Sequence, residues 1–335
     1  QKLMDLKPIE NPRWGSIGIP MVLNFFDTLP FWMEFFGRLG IRVELSSRSS
    51  RELYQKGQDT IPSDTVCYPA KLVHGHIADL VERGVRRVFY PVAPYNNVES
   101  EVADNYYNCP VVAYYPELIK ANMPQTDNIE YIYPYLVITK PSFVKKAFEA
   151  FKPYYPDLTI SEVRAAAKAA RAADAAFRAD IRAEGERALE FLERTGKKGV
   201  VVAGRPYHID PEINHGIDKL ITSLGLVLLS EESVAHLGRA DNLKILNQWT
   251  YHTRMYNAAD FVSRREDVEF VQLVSFGCGT DAITGDEVRD ILESRGRLYT
   301  QIKIDEISNL GAAKIRLRSL IAAMKPGKGR SERNG

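Results

Sequence analysis

Two stretches far apart in the chain follow one template. "FFGRLGIRVELSSRSS" at 35–50 can be laid over "LITSLGLVLLSEESV" at 220–234, each giving a helix end, a Leu-Gly turn, an apolar strand and a Ser-rich loop. A duplicated strand-and-helix unit restricts the fold more than any other feature here, because each copy needs its own sheet covered by helices. The chain therefore reads as α/β, with one parallel-sheet domain at 1–140, a helical connector at 141–196 and a second domain at 197–325.

The segments around the repeat agree with this. In the first half, "TLPFWMEFFGRLG" has helical apolar spacing and "IRVELSS" alternates as a strand. "KLVHGHIADLVERG" reads as an amphipathic helix stopped by Gly84, and "VRRVFYPVAP" and "CPVVAYYP" read as two further strands. Residues 124–158 break the pattern with Tyr and Pro. Thr159 and Glu162 then form a capping-box pattern before an Ala, Arg and Glu-rich run to about Leu192, which predicts one long helix joining the halves. After Gly196 the expected order is strand "GVVVAGRPYH", helix "INHGIDKLITSLG", strand "LVLLS", strand "VEFVQLVSFGCG", helix "AITGDEVRDILESRG", strand "YTQIKID" and helix "AAKIRLRSLIAAM". The polar tail at 326–335 is expected to be disordered.

Composition narrows the partners. With 335 residues, 45% of them hydrophobic, the chain can build two cores, and a net charge of +1 gives no electrostatic case for nucleic acid. No run approaches the roughly 18 apolar residues of a membrane helix and no signal-peptide layout opens the chain, so a cytoplasmic protein is expected. Numbering from Gln1 rather than Met is what a fragment of a longer protein would show.

The chemistry concentrates in three cysteines. Cys67 precedes a helix, Cys109 precedes an apparent strand, and Cys278 stands between Gly277 and Gly279 after a strand. A helix N-terminus offers unpaired N–H groups and partial positive charge to a thiolate, and flanking glycines let backbone N–H groups approach sulfur. Three widely spaced cysteines match no disulfide framework and no compact CxxC motif. They leave buried thiols, a [4Fe–4S] cluster with one open iron, or a zinc with one open position. Arg205 and His208 in "GRPYHIDPEINHG" fall at a strand end where a cleft would lie; Arg205 could hold a carboxylate or phosphate, or staple its loop to a neighbouring helix, and His208 could move a proton. "APYNN" at 93–97 could line the same cleft. Asp281 reads as a helix N-cap, and 305–312 as a strand stop and cap. His74 and His76, two apart on a helix, face different ways, which predicts surface or interface roles. No GxxxxGK[ST] loop and no GxGxxG after a strand is present, so ATP hydrolysis within this chain lacks a motif.

"IGIPMVLNFFDTLPFWMEFFGRLG", "CYPAKLVHGHI", "NCPVV", "VVVAGRPYHIDPEINHGID" and "SFGCGTDAIT" together resemble the 2-hydroxyacyl-CoA dehydratase superfamily, most closely its activase-related branch. The resemblance runs from about Ile17 to Met324. It implies two flavodoxin-like, Rossmann-like domains with an iron–sulfur cluster between them, ligated by Cys67, Cys109 and Cys278, of the [4Fe–4S] or the double-cubane type. It also implies an ATP-dependent activase as electron donor, on a separate chain or on a missing part of this one, and an acyl-CoA or other small-molecule substrate. The activity expected is that of a lyase or of a component of an ATP-coupled reductase. A non-catalytic electron relay for an activase and a three-cysteine zinc protein remain as alternatives, and a homo-oligomer is compatible with all three.

Overall fold

A computed structural model describes Leu3, 6–275, 277–306 and 310–324. The first half carries β1 (Ser16–Ile19), α1 (Phe25–Arg38), β2 (Arg42–Leu45), α2 (Arg51–Gly57), α3 (Tyr68–Glu82), β3 (Arg87–Phe89), α4 (Pro110–Asn122) and β4 (Glu130–Ile132). Helices α5 (Phe143–Phe151) and α6 (Ile160–Thr195) follow. The second half runs β5 (Gly199–Ala203), α7 (Pro211–Asn214), α8 (Ile217–Ser223), β6 (Val227–Ser230), α9 (Glu231–Val234), α10 (Thr250–Ser263), β7 (Val268–Ser275), α11 (Gly279–Glu293), β8 (Tyr299–Ile304) and α12 (Leu310–Met324).

Each half forms one parallel sheet, and the strand order is the same: β2-β1-β3-β4 and β6-β5-β7-β8. The α/β class and the repeat therefore stand, as two four-stranded parallel sheets compatible with flavodoxin-like domains. The Leu-Gly turns at Leu39-Gly40 and Leu224-Gly225 match as well; both glycines adopt positive φ, +74° and +82°, where a side chain would be strained. The cores differ in chemistry. Phe31, Trp32, Phe35 and Phe36 of α1 pack with Phe89, Phe143 and Phe151 in the first half, whereas Val200, Val201, Val268, Val271 and Leu273 fill the second sheet.

The long helix forms as its sequence predicts. Thr159 Oγ1 accepts from the Glu162 N–H at 3.3 Å while the Glu162 carboxylate accepts from the Thr159 N–H at 2.8 Å, and Gly196 ends the helix in the left-handed region. Polar contacts then tie the halves together. Arg254 of α10, 1% exposed, pairs with Asp27 of α1 at 3.3 Å and with Glu99 at 2.8 Å, and Arg178 of α6 pairs with Asp27 at 3.1 Å. Asn96, within the 93–97 stretch, donates to Tyr251 Oη at 2.8 Å.

Several expectations fail for physical reasons. "CPVVAYYP" is the start of helix α4, not a strand: Pro110 occupies the first turn, where its missing N–H costs nothing, and tertiary packing overrides the β-branched pair. The fourth strand is β4, inside the Tyr- and Pro-rich stretch. Helix α10 escapes periodicity because all 14 of its residues are buried. His215 and Gly216, both at positive φ, split the expected helix at 213–225 into α7 and α8. The tail at 326–335 and residues 307–309 of the 305–312 segment lie outside the described residues.

Candidate functional site

Because the two sheets share one strand order, their helices can be matched: α3 with α10, each preceding the third strand, and α4 with α11, each following it. Four helix N-termini meet in this way at the join between the halves. The residues that precede their first turns are Cys67 for α3, Cys109 for α4, Cys278 for α11 and Trp249 for α10. Cys109 and Cys278 thus hold equivalent positions, and the counterpart of Cys67 is Trp249.

The contacts across the join are reciprocal. Tyr107, just before Cys109, donates from its N–H to Gln248 O at 2.9 Å and accepts from the Thr250 N–H at 3.1 Å, at the start of α10. From the other side, a side-chain carbon at Gly277 would lie 3.6 Å from the carbonyl of Thr65, two residues before Cys67. Gly277 takes φ +73°, so the turn before Cys278 requires glycine, while a Cβ on Gly279 would enter open space.

The three thiols are half-buried and free. Burial pushes the Cys67 thiol up to about 12, and Cys109 and Cys278 add to the rise, so each sulfur lies within electrostatic reach of the others. Cys109 is also raised by burial, although its Sγ accepts from the Val112 N–H at 3.4 Å and Arg205 favours its ionised form. Among the described residues, no group of three or more His, Cys, Asp or Glu side chains gathers closely enough to hold one metal ion.

Arg205, 4% exposed, stands behind Cys278. Its Nη1 donates to the Asp281 carboxylate, and its Nη2 lies 2.9 Å from Thr280 Oγ1, 3.1 Å from His252 Nε2 and 3.5 Å from Cys278 Sγ. Both terminal nitrogens are spent on the protein, so the arginine staples its loop to α11. Asp281 is not the N-cap of that helix: α11 begins at Gly279, and the Asp281 carboxylate in its first turn accepts from Arg205 and from the Ser275 N–H at 3.1 Å. His208 Nδ1 accepts the Arg205 backbone N–H at 3.1 Å, and a Cβ on Gly204 would collide with that nitrogen. Burial, reinforced by Arg205, lowers His208 to about 3, so it is neutral near pH 7. It lines a cavity of about 350 Å³ at the carboxyl ends of β5 and β6, together with Asn214, Asp218 and Glu231.

His74 and His76 are not on the surface. Both are buried in α3: His74 bonds Thr60 Oγ1 at 2.7 Å and Tyr115 Oη at 3.1 Å, and His76 bonds Ser46 Oγ at 2.7 Å and Ser49 Oγ at 3.0 Å. Ser49 continues across the join to Asp210 at 2.5 Å. The gap of two in sequence correctly sends them to different partners; it says nothing about whether those partners are protein or water. Sequence reasoning also passed over Trp249 and His252. The signal that could have found them is the repeat itself, extended from the Leu-Gly turn to the helix starts.

The chain belongs to a known family. Residues 16–234 match the model of the CoA enzyme activase uncharacterised domain, which spans the first half, the connector and the opening of the second half. No curated protein matches the chain. Among solved structures, the C-terminal domain of glucosamine-fructose-6-phosphate aminotransferase from Francisella tularensis is similar at 10% identity over 96% of this chain and 85% of its own, with a TM-score of 0.22, a likeness too slight to bear on fold or function. Among the described residues, no helix is long and apolar enough to cross a membrane.

Proposed function

We propose that this chain is an iron–sulfur protein that takes low-potential electrons from an ATP-dependent activase and uses them in reductive or dehydration chemistry on an acyl-CoA. The observation that carries the proposal is the set of four helix N-termini at the join, three of them opening on cysteine and drawn from both halves. Such N-termini favour anions, and the donor set of three thiols with no carboxylate among them suits a sulfur-bridged iron cluster. The pKa directions agree with this, since ionising Cys67 and Cys109 together in a half-buried site needs positive charge, and among the described residues Arg205 is the cation that favours their ionised forms. Cys67, Cys109 and Cys278 would hold the group, and the open space beside Gly279 leaves room for it. When bound, a [4Fe–4S] or double-cubane cluster supplies one-electron chemistry at low potential.

The residues of the chain would do the rest. Arg205 holds the Cys278 turn and offers an N–H to its sulfur, and Trp249, in place of a fourth cysteine, leaves one side of the site for a ligand. The activase-domain family supports an activase or dehydratase partner, and the sequence carries no GxxxxGK[ST] motif.

Oxygen-free purification and reconstitution, followed by iron and acid-labile sulfide assays, tests the reading. Iron and sulfide in comparable amounts with broad visible absorption are expected; zinc retained in place of iron would overturn it. A second reading, a relay that passes electrons without binding substrate, is favoured by the way Arg205 and His208 are already occupied by protein partners. A cluster spectrum that acyl-CoA leaves unchanged would select the relay.

A further inference from the structure

His252 is the third residue of α10, three positions after Trp249, and is 2% exposed. Its two ring nitrogens stand in different circumstances. Nε2 lies 3.1 Å from Arg205 Nη2, and a guanidinium can only donate, so Nε2 is the acceptor and carries no hydrogen. Burial first, and the Arg205 charge second, hold the ring neutral, which leaves the hydrogen on Nδ1. That Nδ1 is buried and has no partner.

A buried N–H without an acceptor is unusual in a native interior and calls for a reason. The neighbours of His252 do not supply one. Arg205 offers only hydrogens, and the carboxylate of Asp281 is taken by Arg205 and Ser275. By the matching of α3 with α10, the first half has Ala70 at this place, and by sheet register Arg205 falls where the first half has Val22. The Arg205–His252 pair is therefore an addition peculiar to the second half, beside the one helix N-terminus that lacks a cysteine.

The geometry points to His252 Nδ1–H as the donor that receives the carbonyl oxygen of an acyl thioester on the Trp249 side of the site. This rests on the reading of the join as an acyl-CoA site. A neutral imidazole held in one tautomer by a fixed cation is a preorganised donor: it meets developing negative charge on oxygen without first losing a proton or turning its ring. Arg205 acts here as a positioning residue, through His252.

Two substitutions separate this role from a merely structural one. His252→Gln places an amide where Nε2 stands and keeps an acceptor for Arg205, but has no donor at the Nδ1 position. His252→Asn places its amide near Nδ1 and loses the acceptor. Binding of butyryl-CoA and of the thioether S-butyl-CoA, which lacks the carbonyl, is measured on oxygen-free, reconstituted protein. The wild type is expected to prefer the thioester by about tenfold. His252→Gln should lose that preference at an unchanged thermal midpoint, and His252→Asn should regain most of it. A tenfold preference surviving in His252→Gln, or none in the wild type, overturns the assignment. Iron and sulfide assayed on the same samples keep the two readings apart: iron-free protein fails the cluster, whereas iron-loaded protein that binds both ligands alike fails only the role of His252.

Discussion

The two halves share a strand order and a Leu-Gly turn, yet they differ in what they place at the helices flanking the third strand. The first half begins both helices on cysteine; the second begins one on cysteine and one on Trp249. The donors around the sulfurs differ too. Cys109 is served by a backbone N–H of its own helix, while Cys278 is approached by a buried guanidinium whose counterpart position in the first half is Val22. A duplication can preserve topology while its copies diverge at loop and helix-start positions, because the strand register and the glycine turns fix the frame and leave those residues free. What results is an asymmetric arrangement inside a nearly symmetric scaffold: cysteine stands at three of the four helix starts and Trp249 at the fourth, and Arg205 of the second half lies against both Cys278 and His252.

The largest effect should come from the equivalent cysteines. Cys109→Ala and Cys278→Ala are each expected to reduce reconstituted iron to a small fraction of the wild-type content, and Cys67→Ala to do the same, whereas Trp249→Phe should leave iron content intact. Full iron in Cys67→Ala would break the three-sulfur reading and restore a site in which the two halves contribute alike.

Next in size are the helix crossings that both halves make with glycine. A Cβ on Gly75 of α3 would collide with the carbonyl of Leu53, and one on Gly238 with the carbonyl of Asn257 in α10. Gly75 and Asn257 are both the eighth residues of matched helices, so one crossing is built twice; the first half has glycine on both partners, Gly57 of α2 and Gly75 of α3, where the second has Gly238 against Asn257. Gly75→Ala and Gly238→Ala should each cost about 1–3 kcal/mol or more in urea unfolding. Similar costs would sharpen the equivalence of the crossings, and a negligible cost at one would break it.

A last expected effect is graded with pH. Burial lowers His74 and His76 to about 4 and His208 to about 3, each below the ordinary 6.5. A depressed histidine contributes stability that is full above about pH 6.5 and is lost as pH falls toward its folded value, so stability should decline below pH 6.5 by up to about 1.4 kcal/mol per pH unit for each group. Glu231 runs the other way. Burial raises it from 4.5 to about 8, so its contribution is full below pH 4.5 and disappears as pH rises through 8. Urea midpoints between pH 5 and 8.5 should therefore show His74→Gln/His76→Gln flattening the acid side and Glu231→Gln the alkaline side. An acid slope unchanged in the double variant would show that the first half does not govern it.

Much of this architecture could be read from the chain. The Leu-Gly turns, the Thr159–Glu162 capping box, the stop at Gly84 and the long apolar run of β7 are local signals, set by backbone φ, by capping hydrogen bonds and by burial on both sheet faces. The elements missed were those whose surroundings are made by other elements. Helix α10 has no exposed face because elements of both halves close over it, its polar side chains included, the Val-Val of α4 loses its strand preference to packing, and His74 and His76 look like surface residues until Thr60, Tyr115, Ser46 and Ser49 close over them.

By itself, then, the sequence determined the α/β class, the repeat, the connecting helix and the three cysteines as the residues to follow, since each depends on periodicity or on residue chemistry along a short stretch. Only the tertiary structure decided that the four helix starts meet, that Trp249 stands where a fourth cysteine would fall, that Asp281 belongs to Arg205, and that His252 keeps one N–H without a partner. Those outcomes depend on contacts between residues tens to hundreds of positions apart, and no local preference carries information about which distant group will satisfy a buried donor.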